Sequence, residues 1–190
     1  MVKQSDAKEI VRIGVILFAI TALAALVLAV MNGVTAPLIE KNQLEKQNAA
    51  MQVVLPGADS FSDKNLKTDD MDSIVTAVYE SKNKKGYAVM VSPAGYGGAI
   101  SMAVGVSLDG DVTGVDIISQ SETAGLGSNC TKPEFKEQFI GKTAGVTVSK
   151  SGAKNNEIDA ISSATITSKA VTAGVNAAIS AVESITKKGA

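Results

Sequence analysis

The sequence predicts an α+β domain with an antiparallel sheet and a C-terminal helix, carried behind a single N-terminal transmembrane helix. Three observations predict it: an uncharged apolar run near the start, a series of strand-length runs separated by turn residues, and an amphipathic stretch at the end. The chain has 190 residues, enough for one ordinary domain and an appendage.

The apolar run, IGVILFAITALAALVLAVMNGV at residues 13–34, contains no charge. A bilayer is crossed by about 20 such residues, whereas the apolar region of a signal peptide spans about 7–15. Met31 and Asn32 also interrupt the point where cleavage would fall, and no cysteine follows closely to carry a lipid. An uncleaved anchor is the expectation. Lys3, Lys8 and Arg12 crowd the short N-terminal side, while Lys41 and Lys46 beyond the span are mixed with Glu40 and Glu45. That asymmetry puts residues 1–12 in the cytoplasm and residues 35–190 outside it.

After the span, PLIEKNQLEKQNAAMQVVLP (37–56) repeats Leu44, Met51 and Leu55 at helical spacing, and Pro37 suits a first helical turn. Strand-like runs follow at SIVTAVYES (73–81), YAVMVSP (87–93), AISMAVGVSL (99–108) and VTGVDIISQ (112–120). Asp109-Gly110 between apolar runs is a hairpin signal. A short helix is expected in KPEFKEQFIG (132–141) and a small strand in GVTVSK (145–150). From Thr167 to Lys187, Val171, Val175, Ala178, Ile179, Val182 and Ile185 recur on one helical face, the pattern of a helix packed on a sheet.

Composition excludes several kinds of chemistry. There is no histidine, which removes Ser-His-Asp and Cys-His catalysis, His-ligated haem and the usual zinc sites. Cys130 is single, so it forms no intrachain disulfide and holds no iron–sulfur cluster alone; a packed small residue is the simplest reading. A net charge of −1 and the absence of tryptophan give no basis for nucleic-acid binding.

Short motifs mostly fail on inspection. GKT at 141–143 lacks a phosphate loop's first glycine, since Lys136 stands there. GYGG at 95–98 is no dinucleotide fingerprint, because Ile100 occupies the third glycine position. SGAK at 151–154 satisfies Ser-x-x-Lys, but KSGAKNNE reads as a polar loop rather than the start of a helix.

Two stretches remain. SETAGLGS (121–128) sets Gly125 and Gly127 around Leu126, with Glu122 and Thr123 beside them; such glycines let backbone approach a flat ligand. DAISSAT (159–165) has the order Asp-x-x-Ser-x-Ala-Thr directly before a helix, and Thr167 and Ser168 add to its hydroxyls. One hydroxyl would suffice to cap a helix. The surplus points to a bound anion or to a hydroxyl with a covalent role.

At these residues the chain resembles the FMN-binding domain family of the G subunit of Rnf-type ion-translocating ferredoxin:NAD oxidoreductases. The family is shared with the C subunit of the sodium-translocating NADH:quinone reductase. In that family a flavin transferase moves FMN from FAD to the last threonine of Asp-x-x-(Ser/Thr)-Gly-Ala-Thr, forming a phosphoester. Asp159, Ser162 and Ala164 match this motif, Ser163 stands where the family usually has glycine, and Thr165 falls at the attachment position. ETAGLG is similar to the family's Glu-Thr-Pro-Gly-Leu-Gly, with Ala124 in place of proline, and GYGG is similar to another common stretch.

The resemblance implies a single FMN-binding α+β domain outside a bacterial cell membrane, with FMN covalently held through Thr165. It implies cofactor contacts from Asp159, Ser162, Ser163, Ala164, Thr167, Glu122, Thr123, Gly125, Leu126, Gly127 and Tyr96. A phosphate on Thr165 would sit at a helix N-terminus, facing free N–H groups and the positive end of the dipole. The implied function is an electron relay that catalyses nothing alone. Its partners would be the other membrane and peripheral subunits of the complex and, during maturation, the flavin transferase. The chain's brevity favours the Rnf protein over the longer reductase one. The other readings are that reductase C subunit, or a structural or assembly protein whose domain is unmodified.

Overall fold

The structure is a computed structural model that describes residues 4–62, 65–67 and 70–189. Lys3, one of the three cations used to orient the span, lies outside the described residues. The chain divides into two compact units, Met1–Glu45 and Lys46–Ala190.

Helix α1 runs without interruption from Gln4 to Val54, with Pro37 inside it. The sequence suggested a new helix beginning at Pro37; instead the proline is accommodated in one continuous helix. It has no N–H to offer the Gly33 carbonyl four residues back. In the first unit the apolar side chains from Ile10 to Val34 are exposed, and the helix is long and apolar enough to cross a membrane. Its threonine hydroxyls are satisfied internally: Thr21 donates to the Leu17 carbonyl at 3.0 Å and Thr35 to that of Met31 at 2.9 Å. In hydrocarbon no water would otherwise take them.

The second unit is built on a four-stranded antiparallel meander in the order β1 (Val75–Glu80), β2 (Gly86–Val91), β3 (Ser101–Ser107) and β4 (Val112–Ser119). These are the four runs expected, joined where turn residues stand. Strand side chains alternate between faces, and the two faces are covered differently. Val78, Val89, Val104 and Val106 belong to the main core, together with Val171, Val175, Ile179 and Val182 of the closing helix α3 (Thr165–Gly189). Full burial of each such side chain stabilises by about 1.5–3 kcal/mol, which fixes α3 to this face.

The opposite face is made of smaller residues. Ala77, Ala88, Met90 and Ala103 pack with Ala50, Met51 and Val54, the part of α1 that belongs to this unit. The Val54 carbonyl comes so close to the sheet that a Cβ at Gly105 would lie 2.0 Å from it, and it accepts a 2.5 Å hydrogen bond from the Thr113 hydroxyl.

Between β4 and α3 the chain forms a 3-10 turn (Gly127–Thr131), a short helix α2 (Pro133–Lys136) and a second 3-10 turn (Glu137–Phe139). Phe135 and Phe139 stack edge to face, 5.5 Å between centroids, and Lys136 pairs with Asp116 at 2.6 Å. Strand β5 (Thr147–Ser149), the expected small strand, pairs in parallel with β6 (Glu157–Asp159). The sequence reading did not anticipate β6: Ile158 is its one apolar residue, so no alternation shows, whereas Val146 and Val148 alternate around β5. The closing helix begins at Thr165 rather than Thr167.

Candidate functional site

The site grows from the start of α3. Ahead of it, residues 161–164 make a tight turn in which the Ala164 N–H donates to the Ile161 carbonyl at 3.0 Å. Ser163 has φ 60°, in the left-handed region that favours glycine. Within the helix, the Ser168 N–H donates to the Ala164 carbonyl at 3.0 Å. The N–H groups of Thr165, Ile166 and Thr167 belong to the first turn, which has no preceding carbonyls to bind. Ala164 has no side-chain oxygen to cap them.

Beside this turn lies an open cavity of about 530 Å³, lined by Tyr96, Glu122, Thr123, Leu126, Gly127, Ser163, Ala164, Thr165, Ile166 and Thr167. Its volume falls within the range of small-molecule and cofactor sites. Tyr96, Leu126 and Ile166 are exposed apolar surfaces on its walls. An apolar wall next to free helix N–H groups suits a ligand with a flat aromatic body and an anionic end, so the residues present fit FMN.

Beneath the cavity, Glu122 is buried. One carboxylate oxygen accepts the Gly97 N–H at 2.8 Å, and the other accepts the Thr167 hydroxyl. A Cβ at Gly127 would lie 2.5 Å from Glu122 Oε2 and 2.6 Å from Thr167 Oγ1, so a side chain there would displace the pair. Cys130, at the end of the same loop, is fully buried. Burial pushes its thiol up from an ordinary 9.0 to about 11, the nearby Glu122 charge adds to this, and a backbone hydrogen bond and Lys136 partly oppose it.

The FMN-binding domain family matches residues 95–180. Among full-length relatives, the G subunit of the Na(+)-translocating ferredoxin:NAD(+) oxidoreductase complex of Acetobacterium woodii is 37% identical, over 97% of this chain and 97% of that one. The G subunit of the proton-translocating ferredoxin:NAD(+) oxidoreductase complex of Clostridium ljungdahlii is 36% identical, over 98% of each. The chain belongs to the Rnf-type G-subunit family. Its fold is that of the C subunit of the Na(+)-translocating NADH-quinone reductase from Parabacteroides distasonis, with a TM-score of 0.55 and 23% identity over 77% of this chain and 94% of that one.

Tyr96, Glu122, Thr123, Leu126, Gly127, Ser163, Ala164, Thr165 and Thr167 all border the one cavity. Asp159 and Ser162 do not. They line a separate open groove of about 360 Å³ with Asn129, Lys132, Glu134, Phe135 and Gln138. Gly125 lines neither; it has φ 75° and open space where a Cβ would point, so its role is to turn the loop. The close approach expected of both glycines belongs to Gly127, and what approaches it is Glu122 and Thr167. Ile166 is a wall residue that sequence reasoning missed; the only signal was its place between Thr165 and Thr167.

The backbone at Ser163 is left-handed, a conformation that glycine adopts more freely.

Proposed function

We propose that this chain carries FMN as a phosphoester on Thr165 and relays electrons within an Rnf-type ion-translocating ferredoxin:NAD oxidoreductase complex. The observation that carries the reading is the state of the Thr165 hydroxyl. It borders the cavity at the first residue of α3, and among the described residues nothing accepts or donates a hydrogen bond to it. Thr167 and Ser168, by contrast, are buried and already bonded.

A flavin transferase would form the bond between the Thr165 oxygen and the FMN phosphorus. The diphosphate bond of FAD breaks, AMP leaves, and the hydroxyl proton is lost. The free N–H groups of Thr165, Ile166 and Thr167 would then face the phosphate, while Tyr96, Leu126 and Ile166 offer apolar surface to the ring. Helix-dipole attraction alone contributes about 0.3–1 kcal/mol when exposed, too little to retain a cofactor. A covalent link removes dissociation, and the bound flavin supplies the redox chemistry.

Replacing Thr165 with Val keeps the branched shape and removes the accepting oxygen. After co-expression with a flavin transferase, intact-protein mass should show one added FMN in the wild type and none in Thr165→Val. The variant should unfold within about 0.5 kcal/mol of wild type, as surface substitutions usually do. An unmodified wild type, or a Val variant that keeps the mass, overturns the assignment.

Lys8 and Arg12 at the N-terminal side support a cytoplasmic N-terminus in a bacterial cell membrane, with the flavin domain outside. A cysteine at the exposed Asp109 should react with a membrane-impermeant thiol reagent added to intact cells. Reaction only after the membrane is opened reverses the orientation.

A further inference from the structure

We infer that Glu122 is a positioning residue, a clasp that assembles the cavity walls and, by holding the Thr167 hydroxyl, leaves Thr165 as the hydroxyl of the first α3 turn that faces the cavity. The inference rests on the reading of Thr165 as the flavin acceptor and assigns Glu122 and Thr167 a role other than touching the flavin.

A buried carboxylate needs hydrogen-bond partners, and an ionised one can only accept. Glu122 uses both oxygens on groups far away in sequence, the Gly97 N–H and the Thr167 hydroxyl. Four of the residues that line the cavity are immediate neighbours of a member of this clasp. Tyr96 precedes Gly97, Thr123 follows Glu122, and Ile166 precedes Thr167; Leu126 precedes Gly127, which presses against the Glu122–Thr167 pair. A Cβ at Gly97 would lie 2.1 Å from the Ser121 carbonyl oxygen, so the Tyr96 loop is held against the Glu122 segment with no room for a side chain. One carboxylate therefore ties the Tyr96 loop and the Glu122 segment to the first turn of α3.

The same bond disposes of Thr167. The residue is 1% exposed and its hydroxyl donates to the carboxylate, so an incoming diphosphate cannot reach its oxygen. Ser168 is likewise buried, donating to the Ala164 carbonyl at 3.0 Å and accepting the Ile161 N–H at 2.9 Å. Within this helical turn, Thr165 is the hydroxyl left facing the cavity.

The test compares Glu122→Gln, Thr167→Val, Thr167→Ser and the double variant Glu122→Gln/Thr167→Val in the full-length detergent-solubilised chain. A carboxamide has one acceptor oxygen and a donating NH2, so it cannot accept both groups. Hydrogen–deuterium exchange, measured without flavin, should accelerate about tenfold or more at residues 94–98 and in the first turn of α3 in Glu122→Gln, the scale of a charge-assisted hydrogen bond. After co-expression with limiting flavin transferase, Glu122→Gln and Thr167→Val should each lose most of their FMN by intact mass. Thr167→Ser, which keeps the hydroxyl, should load like wild type. The double variant should load no worse than the poorer single variant, as coupled partners do. Unchanged exchange at 94–98, acceleration spread evenly over β1–β4, or failure of Thr167→Ser to rescue loading each overturns the clasp. A wild type that acquires no FMN sinks the Thr165 reading instead, and the exchange measurement still decides whether the clasp exists.

Discussion

Asp159 and Ser162, at one end of the hydroxyl-rich stretch, lie exposed along the open groove, whereas Thr167 and Ser168, at the other end, are buried beneath the cavity. The Asp159 carboxylate accepts the Ala153 N–H at 2.7 Å, and the residue's own N–H donates to the Gln138 side-chain oxygen at 2.6 Å. Thr167 and Ser168 bond to a buried carboxylate and to the carbonyl of Ala164, just ahead of α3. Thr165 lies between the two ends. Residues of one hydroxyl-rich stretch therefore serve three purposes. The outer pair is presented to solvent, where a modifying enzyme could read it. The inner pair holds the helix start in place. The residue between them is available for chemistry.

The strongest way to break this division is to exchange the expected effects of its two ends. Ser168→Ala leaves the Ile161 N–H without its side-chain acceptor, which should cost about 1–3 kcal/mol in urea unfolding of the solubilised chain. Asp159→Ala, on the open groove, should unfold within about 0.5 kcal/mol of wild type. It should instead load FMN severalfold more slowly under limiting flavin transferase. If Asp159→Ala destabilises as much as Ser168→Ala while loading normally, the outer pair is structural and the division fails.

Much of this was legible in the sequence, and the rest was hidden for identifiable reasons. The meander could be read because each strand run is long enough to show alternation and Asp109-Gly110 marks a turn. The α3 face could be read because Val171, Val175, Ile179 and Val182 keep helical spacing over several turns. The Thr165 region stood out as an excess of hydroxyls beyond what a cap needs. The division within that excess could not be read, because it depends on Glu122, which meets Thr167 across 45 residues of sequence. Pro37 misled for a local reason: proline is common at helix starts, and nothing nearby signals that a helix already in progress would absorb it.

Cys130 tests whether the two surfaces share one foundation. It sits in the turn Gly127–Thr131, whose Gly127 lines the cavity and whose Asn129 lines the groove. Its folded pKa of about 11 stands above the ordinary 9.0 because burial disfavours the thiolate. The raised folded value means that this contribution to stability is fully present below pH 9 and is lost as pH rises through 11. Melting of the wild type should therefore fall more steeply across this window than melting of Cys130→Ala. Parallel pH slopes for the two proteins would show that the thiol ionises as freely in the fold as outside it.

The smallest expected effect concerns Ser163, at the boundary between the two ends. Its φ of 60° lies in the left-handed region, where a side chain costs about 1 kcal/mol or more that glycine avoids. Glycine in turn loses more conformational entropy on folding, which offsets part of the gain. Ser163→Gly should therefore raise stability by about 0.5 kcal/mol, the difference between these two terms. Because Ser163 borders the cavity next to the turn that presents Thr165, relief of the strain should leave the attachment site where it is. Peptide mapping of the loaded variant should still find FMN on the Thr165 peptide, and transferase loading should be at least as fast as in wild type. Destabilisation by Ser163→Gly, or FMN lost along with the Ser163 hydroxyl, would mean that this hydroxyl takes part in the site itself, and the line between its outer and inner ends would have to be redrawn at Ser163.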